Sequence, residues 1–537
     1  MGNRSRFALL ALSSCFFLLL VGLVFYKILG RNDGHFIYAL DDPYIHLALS
    51  DQIAHGHYGI NPTDPSSPSS SILWPLLLAP FARDSFQVYM PLVLNLLFGL
   101  AAVWMIAYAV TKWPPEGGVT FTRGWWSKLA EIVLLVLASN LVGLTFLGME
   151  HVLQVFLSIA CAVGLTFAWD GERLPSWCLV AAAAAPLVRY EDIALTFAVS
   201  LVLVASHRKR MAALVFAVGA LPLVAFGFFL HHAGLPALPT SVLVKGSAPT
   251  HSTGLLRTAW GIFFGAAHYA EHSLLHEMTR WPLLALSIAL IYTWIADRNR
   301  THRILLSAGI AVGLLQLTVG RFGWYNRYEI YAVIFLTILF VRSVSGKLAT
   351  WSPLFLALFL LGAPYLEGVA RLPDASRDIY RQQYQMHRFI DRFYRKSVAV
   401  NDLGLTSYQR PAGVYVLDVY GLGSPEAAAV SDKSATWLQQ VVERHHIGLA
   451  ILFPEWFNIP STWTAVGKMC NSDPVFIDGG RCVVFYSTSA DSTPEIRSDL
   501  TRFVPTLPKG VLFQFDPPKA EGGIYLPKVF GLPANQF

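Results

Sequence analysis

Long apolar segments constrain this chain more than any other feature. They approach the roughly 20 residues that a helix needs to cross a bilayer, and they stop after Leu366. Eleven are predicted, at residues 8–30, 87–111, 129–148, 151–169, 175–189, 192–206, 211–231, 281–296, 304–320, 328–345 and 349–366. Charged residues make up 14% of the chain, against about 25% in a globular protein. The sequence therefore predicts a polytopic α-helical membrane protein and excludes a soluble one.

Basic residues orient the chain, because loops rich in Lys and Arg stay in the cytoplasm. Arg4 and Arg6 precede the first segment, and Arg208-Lys209-Arg210 fill one predicted inside turn. The first segment lacks a small-residue cleavage site, which predicts a retained anchor with a cytoplasmic N-terminus. Eleven crossings then place the loop 31–86 and the C-terminal part outside the cytoplasm. The net charge of +6 is mostly this inside excess, and no basic stripe indicates a nucleic-acid partner.

The composition changes near residue 370. We predict a membrane domain over 1–370 and an extracytoplasmic α/β domain over 371–537. Its predicted strands lie at 398–400, 414–417, 449–453 and 482–486, with a helix at 435–445. Cys470 and Cys482 suit a disulfide in an oxidising compartment, and two reduced thiols are the alternative. The domain either takes part in the function of the membrane part or only stabilises it.

The remaining charged and aromatic side chains collect at the predicted extracytoplasmic ends of the segments. Adjacent carboxylates at a membrane surface are costly to desolvate, so Asp41-Asp42 are the strongest functional candidates. The other candidates are Tyr44, His46, Glu150, Arg189, Glu191, Lys245, Arg327 and Tyr328. The segment Ile45–Ser50, which follows Tyr44, is typical of a short amphipathic helix.

Each candidate also has a structural interpretation. Glu150 is consistent with a side chain that snorkels at a helix end, and Arg189 with an ion pair to a neighbouring acid. Arg327 is consistent with an orienting anchor among its tyrosines. A helix N-cap before Pro43 accounts for one of the two aspartates, but not for both. His46, His55 and His57 match no standard metal spacing and are expected on a solvated helix face.

These residues suit transfer of a sugar from a lipid phosphate. The predicted cytoplasmic connectors are short and contain no Gly-rich phosphate loop, so a donor must come from the membrane or the outer side. A carboxylate such as Asp41 or Asp42 would take the acceptor hydroxyl proton. Lys245, Arg189 and Arg327 would hold the phosphate leaving group. The rival hypotheses are a transporter or lipid flippase, and an inactive protein that binds lipid or glycan.

Short motifs over residues 36–490 resemble the GT-C membrane glycosyltransferases, in particular the bacterial branch with the mycobacterial terminal arabinofuranosyltransferases. They occur in the family's order and on the predicted outer side. They are Asp41-Asp42-Pro43-Tyr44-Ile45-His46-Leu47, Ser71-Ile72-Leu73-Trp74, Gly148-Met149-Glu150, Arg189-Tyr190-Glu191, Pro239-Thr240 with Lys245, Arg327-Tyr328, Asn401-Asp402-Leu403-Gly404 and Leu417-Asp418-Val419-Tyr420-Gly421. Tyr190 stands where the family usually has proline.

The resemblance implies a polyprenyl-phosphate-linked sugar as donor, inversion at the anomeric carbon, and a first-loop aspartate as base. That role belongs to Asp41 or Asp42. The implied acceptor is a cell-envelope glycan or glycolipid, and the implied location is the bacterial cytoplasmic membrane. Some members use a divalent cation such as Mg or Mn, which Asp42 with Glu150 would hold, and others do not.

Overall fold

The structure is a computed structural model that describes residues 3–82, 84–113, 124–245, 280–345, 352–430, 432–476 and 480–517. In the membrane part the helices are α1 Asn3–Arg31, α2 Asp42–Ala54, α3 Leu73–Leu78, α4 Met90–Lys112, α5 Trp125–Ala138, α6 Leu141–Thr145, α7 His151–Trp169, α8 Ser176–Val188, α9 Ile193–Ala205, α10 Lys209–His232, α11 Thr240–Lys245, α12 Trp281–Ala296, α13 Arg300–Val319, α14 Ile330–Val344 and α15 Ser352–Arg381.

Apolar helices lie at all the predicted segments, but with different lengths. Six among the described residues are long and apolar enough to cross a membrane: Asn3–Arg31, Gln87–Lys112, His151–Trp169, Lys209–His232, Arg300–Val319 and Ser352–Tyr394. Ser176–Val188, Trp281–Ala296 and Ile330–Val344 are shorter apolar helices. The chain is thus a multi-pass, mostly helical protein, and eleven crossings stay a prediction. Among those six, α7 is the most deeply buried, with 89% of its apolar stretch inside the protein.

One predicted segment, 129–148, is wrong as a continuous helix. It divides into α5 and α6 at Asn140, which has φ 51°. Asn is among the few non-glycine residues that enter this left-handed region readily. Its side-chain amide also donates to the carbonyl of Tyr325 at 3.0 Å. A tertiary hydrogen bond therefore stabilises a break that hydropathy does not reveal.

The C-terminal part folds as a small α/β domain around one mixed sheet. Its helices are α16 Gln383–Phe389, α17 Gly404–Ser407, α18 Pro425–Ala428, α19 Ala435–Arg444 and α20 Thr493–Phe503. Its strands are β1 Val398–Val400, β2 Val416–Asp418, β3 Leu449–Leu452, β4 Thr464–Asn471, β5 Cys482–Ser487 and β6 Val511–Phe515.

The sheet order is β2-β1-β3-β5-β4-β6, with the first three strands parallel and the others antiparallel. The four predicted strands and the predicted helix are present, whereas β4 and β6 were not predicted. Cys470 and Cys482 lie directly opposite each other on β4 and β5 and form a disulfide. The predicted boundary at residue 370 falls inside α15, so one continuous helix joins the membrane part to this domain.

Candidate active site

Asp41 ends the loop after α1 and binds the C-terminal domain. Its Oδ2 accepts from the backbone N–H of Gly404 at 2.7 Å, and its Oδ1 accepts from Leu405 at 2.9 Å. Asp41 precedes α2, but its side chain makes no capping hydrogen bond to that helix. The interpretation of Asp41 as a side-chain N-cap of the helix that contains Pro43 is therefore wrong. Both oxygens instead bind the first turn of α17, where unpaired N–H groups favour a carboxylate.

Asp42 begins α2 and pairs with the arginine before α14. Its Oδ2 lies 2.7 Å from Nη2 of Arg327. The Asp42 side chain is 23% exposed, whereas that of Arg327 is 2% exposed. The same Nη2 donates to the Tyr328 hydroxyl at 2.9 Å. A partly exposed carboxylate therefore faces the site with a buried cation fixed beside it.

A second arginine, Arg189, lies between two carboxylates. Its Nη1 donates to Glu150 Oε1 at 2.9 Å, and its Nε donates to Glu191 Oε1 at 2.6 Å. Nη1 also donates to the hydroxyl of Ser70 in the first loop at 3.0 Å. The guanidinium carbon lies 5.4 Å from the ring centre of Tyr328, and that of Arg327 lies 5.0 Å from the same ring. The two acid–arginine pairs thus meet at Tyr328.

Close backbone contact holds these turns together. Gly148, before Glu150, has φ +67°, and a Cβ there would lie 2.7 Å from Cδ1 of Tyr38 and 2.8 Å from Cβ of Pro43. Only glycine combines this conformation with so little space. The Tyr38 backbone N–H donates to the Tyr44 hydroxyl at 3.1 Å. Tyr44 is buried and supports the loop, and its predicted contact with substrate stays a prediction.

The prediction of an amphipathic helix at Ile45–Ser50 is wrong, because residues 43–50 of α2 are all buried. His46 belongs to this core at 3% exposure, and the solvated face expected for it is wrong. Its Nδ1 lies 3.2 Å from the Ser69 hydroxyl, and its Nε2 lies 3.6 Å from Glu150 Oε2. His55 and His57 are exposed, as expected. His46 therefore contacts Glu150 from the side opposite Arg189's hydrogen bond, at the other carboxylate oxygen.

The first loop also binds the edge of the sheet. The Asn61 side chain donates to the carbonyl of Val416 at 2.9 Å and accepts from its N–H at 3.1 Å. Arg410 donates to the Ile60 carbonyl at 2.9 Å, and the Tyr415 hydroxyl donates to Asp64. One amide side chain thus pairs with β2 as a neighbouring strand would. The loop and the C-terminal domain together form one wall of the site.

Sequence reasoning assigned no site role to Asp402, Asp418 and Tyr420 of the C-terminal domain. Asp402 Oδ2 accepts from the Gln383 amide at 2.7 Å. Asp418 accepts from the N–H groups of Tyr420, Gly421 and Gly423 at 2.7–3.1 Å. Both acids lie in motifs that the sequence resemblance includes, which was the available signal.

The acids from the two domains influence each other electrostatically. Burial and the charge of Asp402 raise the pKa of Asp41, against the opposing effect of its two backbone hydrogen bonds. Burial also raises the pKa of Asp402, with a further contribution from Asp42. Burial and the charges of Asp418 and Asp42 raise the pKa of Tyr420 to about 12. The charge on a carboxylate of one domain therefore affects the protonation of a carboxylate of the other.

The structure brings together most of the predicted site. Asp41, Asp42, Glu150, Arg189 and Glu191 converge, as do His46, Arg327 and Tyr328. Lys245 is the last residue of α11, and its side chain lies outside the described residues. Thr240, at the start of α11, donates its N–H to the first-loop hydroxyl of Ser67 at 3.0 Å, so the segment that carries Lys245 begins against the first loop.

Asp42 and Glu150, the side chains predicted to hold a divalent cation, are not arranged as a metal site. Asp42 and Glu150 each pair with a different arginine, which neutralises the charge that a cation would need. In the part of the chain that the structure describes, no group of three or more His, Cys, Asp or Glu side chains is placed to hold a metal.

Comparison with known proteins supports the fold. The chain is similar to the crystal structure of the Archaeoglobus fulgidus oligosaccharyltransferase in its apo form, with a TM-score of 0.50 and 11% identity over 91% of this chain and 75% of that chain. Residues 377–486 match the model of a domain of unknown function, DUF8728. No curated protein matches the chain. The chain therefore has a fold similar to that of this oligosaccharyltransferase.

Proposed function

We propose that this protein is a membrane glycosyltransferase that moves a sugar from a polyprenyl-phosphate donor to a cell-envelope glycan or glycolipid. The carrying observation is the pair of acid–arginine contacts, Asp42–Arg327 and Glu150–Arg189, which meet at Tyr328. They lie at one end of the bundle in a fold similar to that of an oligosaccharyltransferase. Such a site combines a proton acceptor with cations, as transfer from a sugar phosphate requires.

Asp42 fits the role of general base better than Asp41. Both oxygens of Asp41 accept backbone hydrogen bonds from α17, and its raised pKa favours the protonated form. Asp42 is partly exposed and is held by Arg327 through a 2.7 Å contact. A base must reach the proton that it removes. We therefore assign proton transfer to Asp42, and Asp41 positions it.

The reaction balances with these groups alone. The acceptor hydroxyl oxygen bonds to the anomeric carbon while the bond from that carbon to the donor phosphate oxygen breaks. The hydroxyl proton passes to Asp42, and the electron pair of the broken bond leaves with the polyprenyl phosphate. The transition state resembles an oxocarbenium ion, as in other glycosyl transfers. Attack opposite the leaving group inverts the anomeric carbon.

The two arginines differ in what they offer the phosphate. Arg189 is held by two carboxylates, Glu150 and Glu191, so its charge is already compensated and it fixes the shape of the site. Arg327 pairs with a single carboxylate. Its Nη1 contacts the sulfur of Met149 at 2.9 Å, a weak acceptor that a phosphate oxygen would displace. Arg327, with Lys245 as the second cation, is the proposed phosphate contact.

The orientation follows from the basic loops. We propose a multi-pass protein of the bacterial cytoplasmic membrane, with a cytoplasmic N-terminus and with both the site and the C-terminal domain outside the cytoplasm. A lipid-anchored donor suits this placement, because its phosphate lies at the interface and its tail in the bilayer. The contacts between the first loop and β2 would then hold the side of the site that binds the acceptor in the aqueous space outside the membrane.

The test compares Asp42→Asn and Asp41→Asn with wild type, each purified and placed in nanodiscs. The substrate is an extracted pool of polyprenyl-phosphate sugars with envelope glycans as acceptors. Asp42→Asn should lower the transfer rate by about 100-fold or more at a temperature where the variant is still folded. Asp41→Asn should keep more activity than Asp42→Asn. Asp51→Asn, a partly exposed acid on the same helix, is the matched control.

Normal turnover by Asp42→Asn would remove the base assignment. Movement of the intact donor across the bilayer, with no new glycosidic bond in any sample, would favour the transporter hypothesis instead. A glycan product whose anomeric configuration matches the donor's would contradict direct inversion.

A further inference from the structure

A cavity of about 310 Å³ lies at the turn that precedes Arg327. It is bordered by Trp324, Tyr325 and Asn326 from the loop before α14, by Glu367 and Arg371 from α15, and by Phe476 from the C-terminal domain. Its volume is in the range of small-ligand sites. It therefore joins three parts of the fold next to Arg327.

The backbone presents these aromatic rings in an unusual way. Trp324, Tyr325 and Asn326 have φ angles of 49°, 63° and 57°. The left-handed region is rarely occupied by bulky residues, and such strain concentrates at binding sites. Glu329 stabilises the turn, since it accepts from the Asn326 amide at 2.9 Å and from the Gly323 N–H at 3.2 Å. The turn is thus held in a shape that costs free energy and places two adjacent aromatic residues beside the cavity.

The lining matches the chemistry of a sugar ring. A sugar offers C–H groups on one face, which pack on aromatic rings, and hydroxyls at its edge, which need donors and acceptors. Phe476 is a large apolar side chain with 44% exposure, and the Arg371 guanidinium lies 5.8 Å from its ring centre. Glu367 and Arg371 pair across one helical turn, and Asn326 adds an amide. A few polar groups among aromatic surfaces are typical of ligand sites.

We infer that this cavity binds a sugar residue of the acceptor glycan. The inference rests on the proposed transferase function and names the site of its second substrate. Glu367 and Arg371 are 66% and 55% exposed, just beyond the apolar half of α15, so the cavity is open to solvent. Asn326 directly precedes Arg327, the partner of the proposed base, so the cavity and the acid–arginine site share one turn of the chain.

The donor sugar is the other source of the same chemistry, and the experiment separates the two. Wild type, Phe476→Ala and Arg371→Ala are compared with Phe515→Ala, an exposed phenylalanine of the same domain. Binding of linear gluco-, manno-, galacto- and arabino-oligosaccharides to nanodisc-embedded protein is followed by saturation-transfer NMR. Transfer is measured in parallel while acceptor and donor concentrations vary separately.

At least one oligosaccharide series should bind wild type and Phe515→Ala alike, and bind Phe476→Ala and Arg371→Ala about fivefold or more weakly. The same two variants should raise the acceptor KM and leave the donor KM unchanged. Equal binding by all four proteins, no binding of any series, or a rise in donor KM alone would overturn the inference. Transfer with a normal acceptor KM in Phe476→Ala would contradict the sugar site in the cavity but leave the proposed transferase function standing. Oligosaccharide binding that depends on Phe476, without transfer by any of the proteins, would support the sugar site and contradict the transferase function.

Discussion

Arg327 gathers several contacts into one buried guanidinium. It donates to Asp42 and Tyr328 through Nη2 and contacts Met149 through Nη1, with only 2% of its side chain exposed. A buried cation is tolerated when it is paired, and breaking one partner leaves an uncompensated charge. The contact between Arg327 and Asp42 therefore stabilises the fold and also holds the proposed base in place.

Arg327→Met should lower the free energy of unfolding by about 3 kcal/mol, because Asp42 loses its cation in a mostly buried setting. Asp42→Asn combined with Arg327→Met should cost less than the two single changes added together, with a coupling of about 1 kcal/mol. Denaturant unfolding in mixed micelles measures this cycle. Arg371→Met, which is exposed on α15, is the matched control. Additive effects would show that the pair contributes no coupling.

Among the elements, α17 is only four residues long and lies directly against Asp41. A Cβ at Gly404 would lie 2.1 Å from the Asp41 carbonyl oxygen and 2.6 Å from its Oδ2. The glycine therefore allows the helix start to approach the carboxylate closely enough for both N–H contacts. A helix of one turn has little stability alone, so this contact fixes its position.

Gly404→Ala should separate α17 from Asp41 and so expose the first loop. We expect transfer to fall at least about tenfold and protease cleavage near α17 to increase, since the new methyl group meets backbone that cannot move away freely. Gly22→Ala is the control, because nothing lies within 4 Å of a Cβ at that position of α1. Normal activity and protection in Gly404→Ala would show that the helix start can shift at low cost.

Across the whole molecule, the two domains meet at acids with raised pKa values. Burial raises the pKa of both Asp41 and Asp402; the charge of Asp402 adds to the rise at Asp41, and the charge of Asp42 adds to the rise at Asp402. The folded state therefore retains protons that an unfolded chain releases. Their contribution to stability is fully present below the ordinary aspartate pKa near 4. It is lost as the pH rises through the raised folded values. Domain contact should thus be strongest in mild acid.

Amide hydrogen exchange at Gly404 and Leu405, measured between about pH 5 and 9 after correction for intrinsic exchange, tests this linkage. Protection should decrease as the pH rises in wild type. Asp402→Asn should flatten that dependence, because one of the two repelling charges is gone. Asp491→Asn, an exposed acid of the same domain, should follow wild type. Protection that does not change with pH in wild type would contradict the raised pKa values of Asp41 and Asp402.

Hydropathy and loop charge predicted the features that depend on local sequence. The apolar helices, the C-terminal α/β domain and the polar cluster at one end of the bundle follow from the composition of each segment. The order of motifs predicted that Asp42, Glu150, Arg189 and Arg327 belong together. Strands β4 and β6 escaped prediction, since their pairing depends on β5 and on each other.

The sequence by itself determined a helical membrane protein with paired acids and arginines on one side. Only the tertiary structure showed which partner each acid binds. Asp41 and Asp42 are chemically identical neighbours, yet Asp41 binds Gly404, 363 residues away, and Asp42 binds Arg327, 285 residues away. A carboxylate's role depends on its partners and its exposure, and distant parts of the chain supply both.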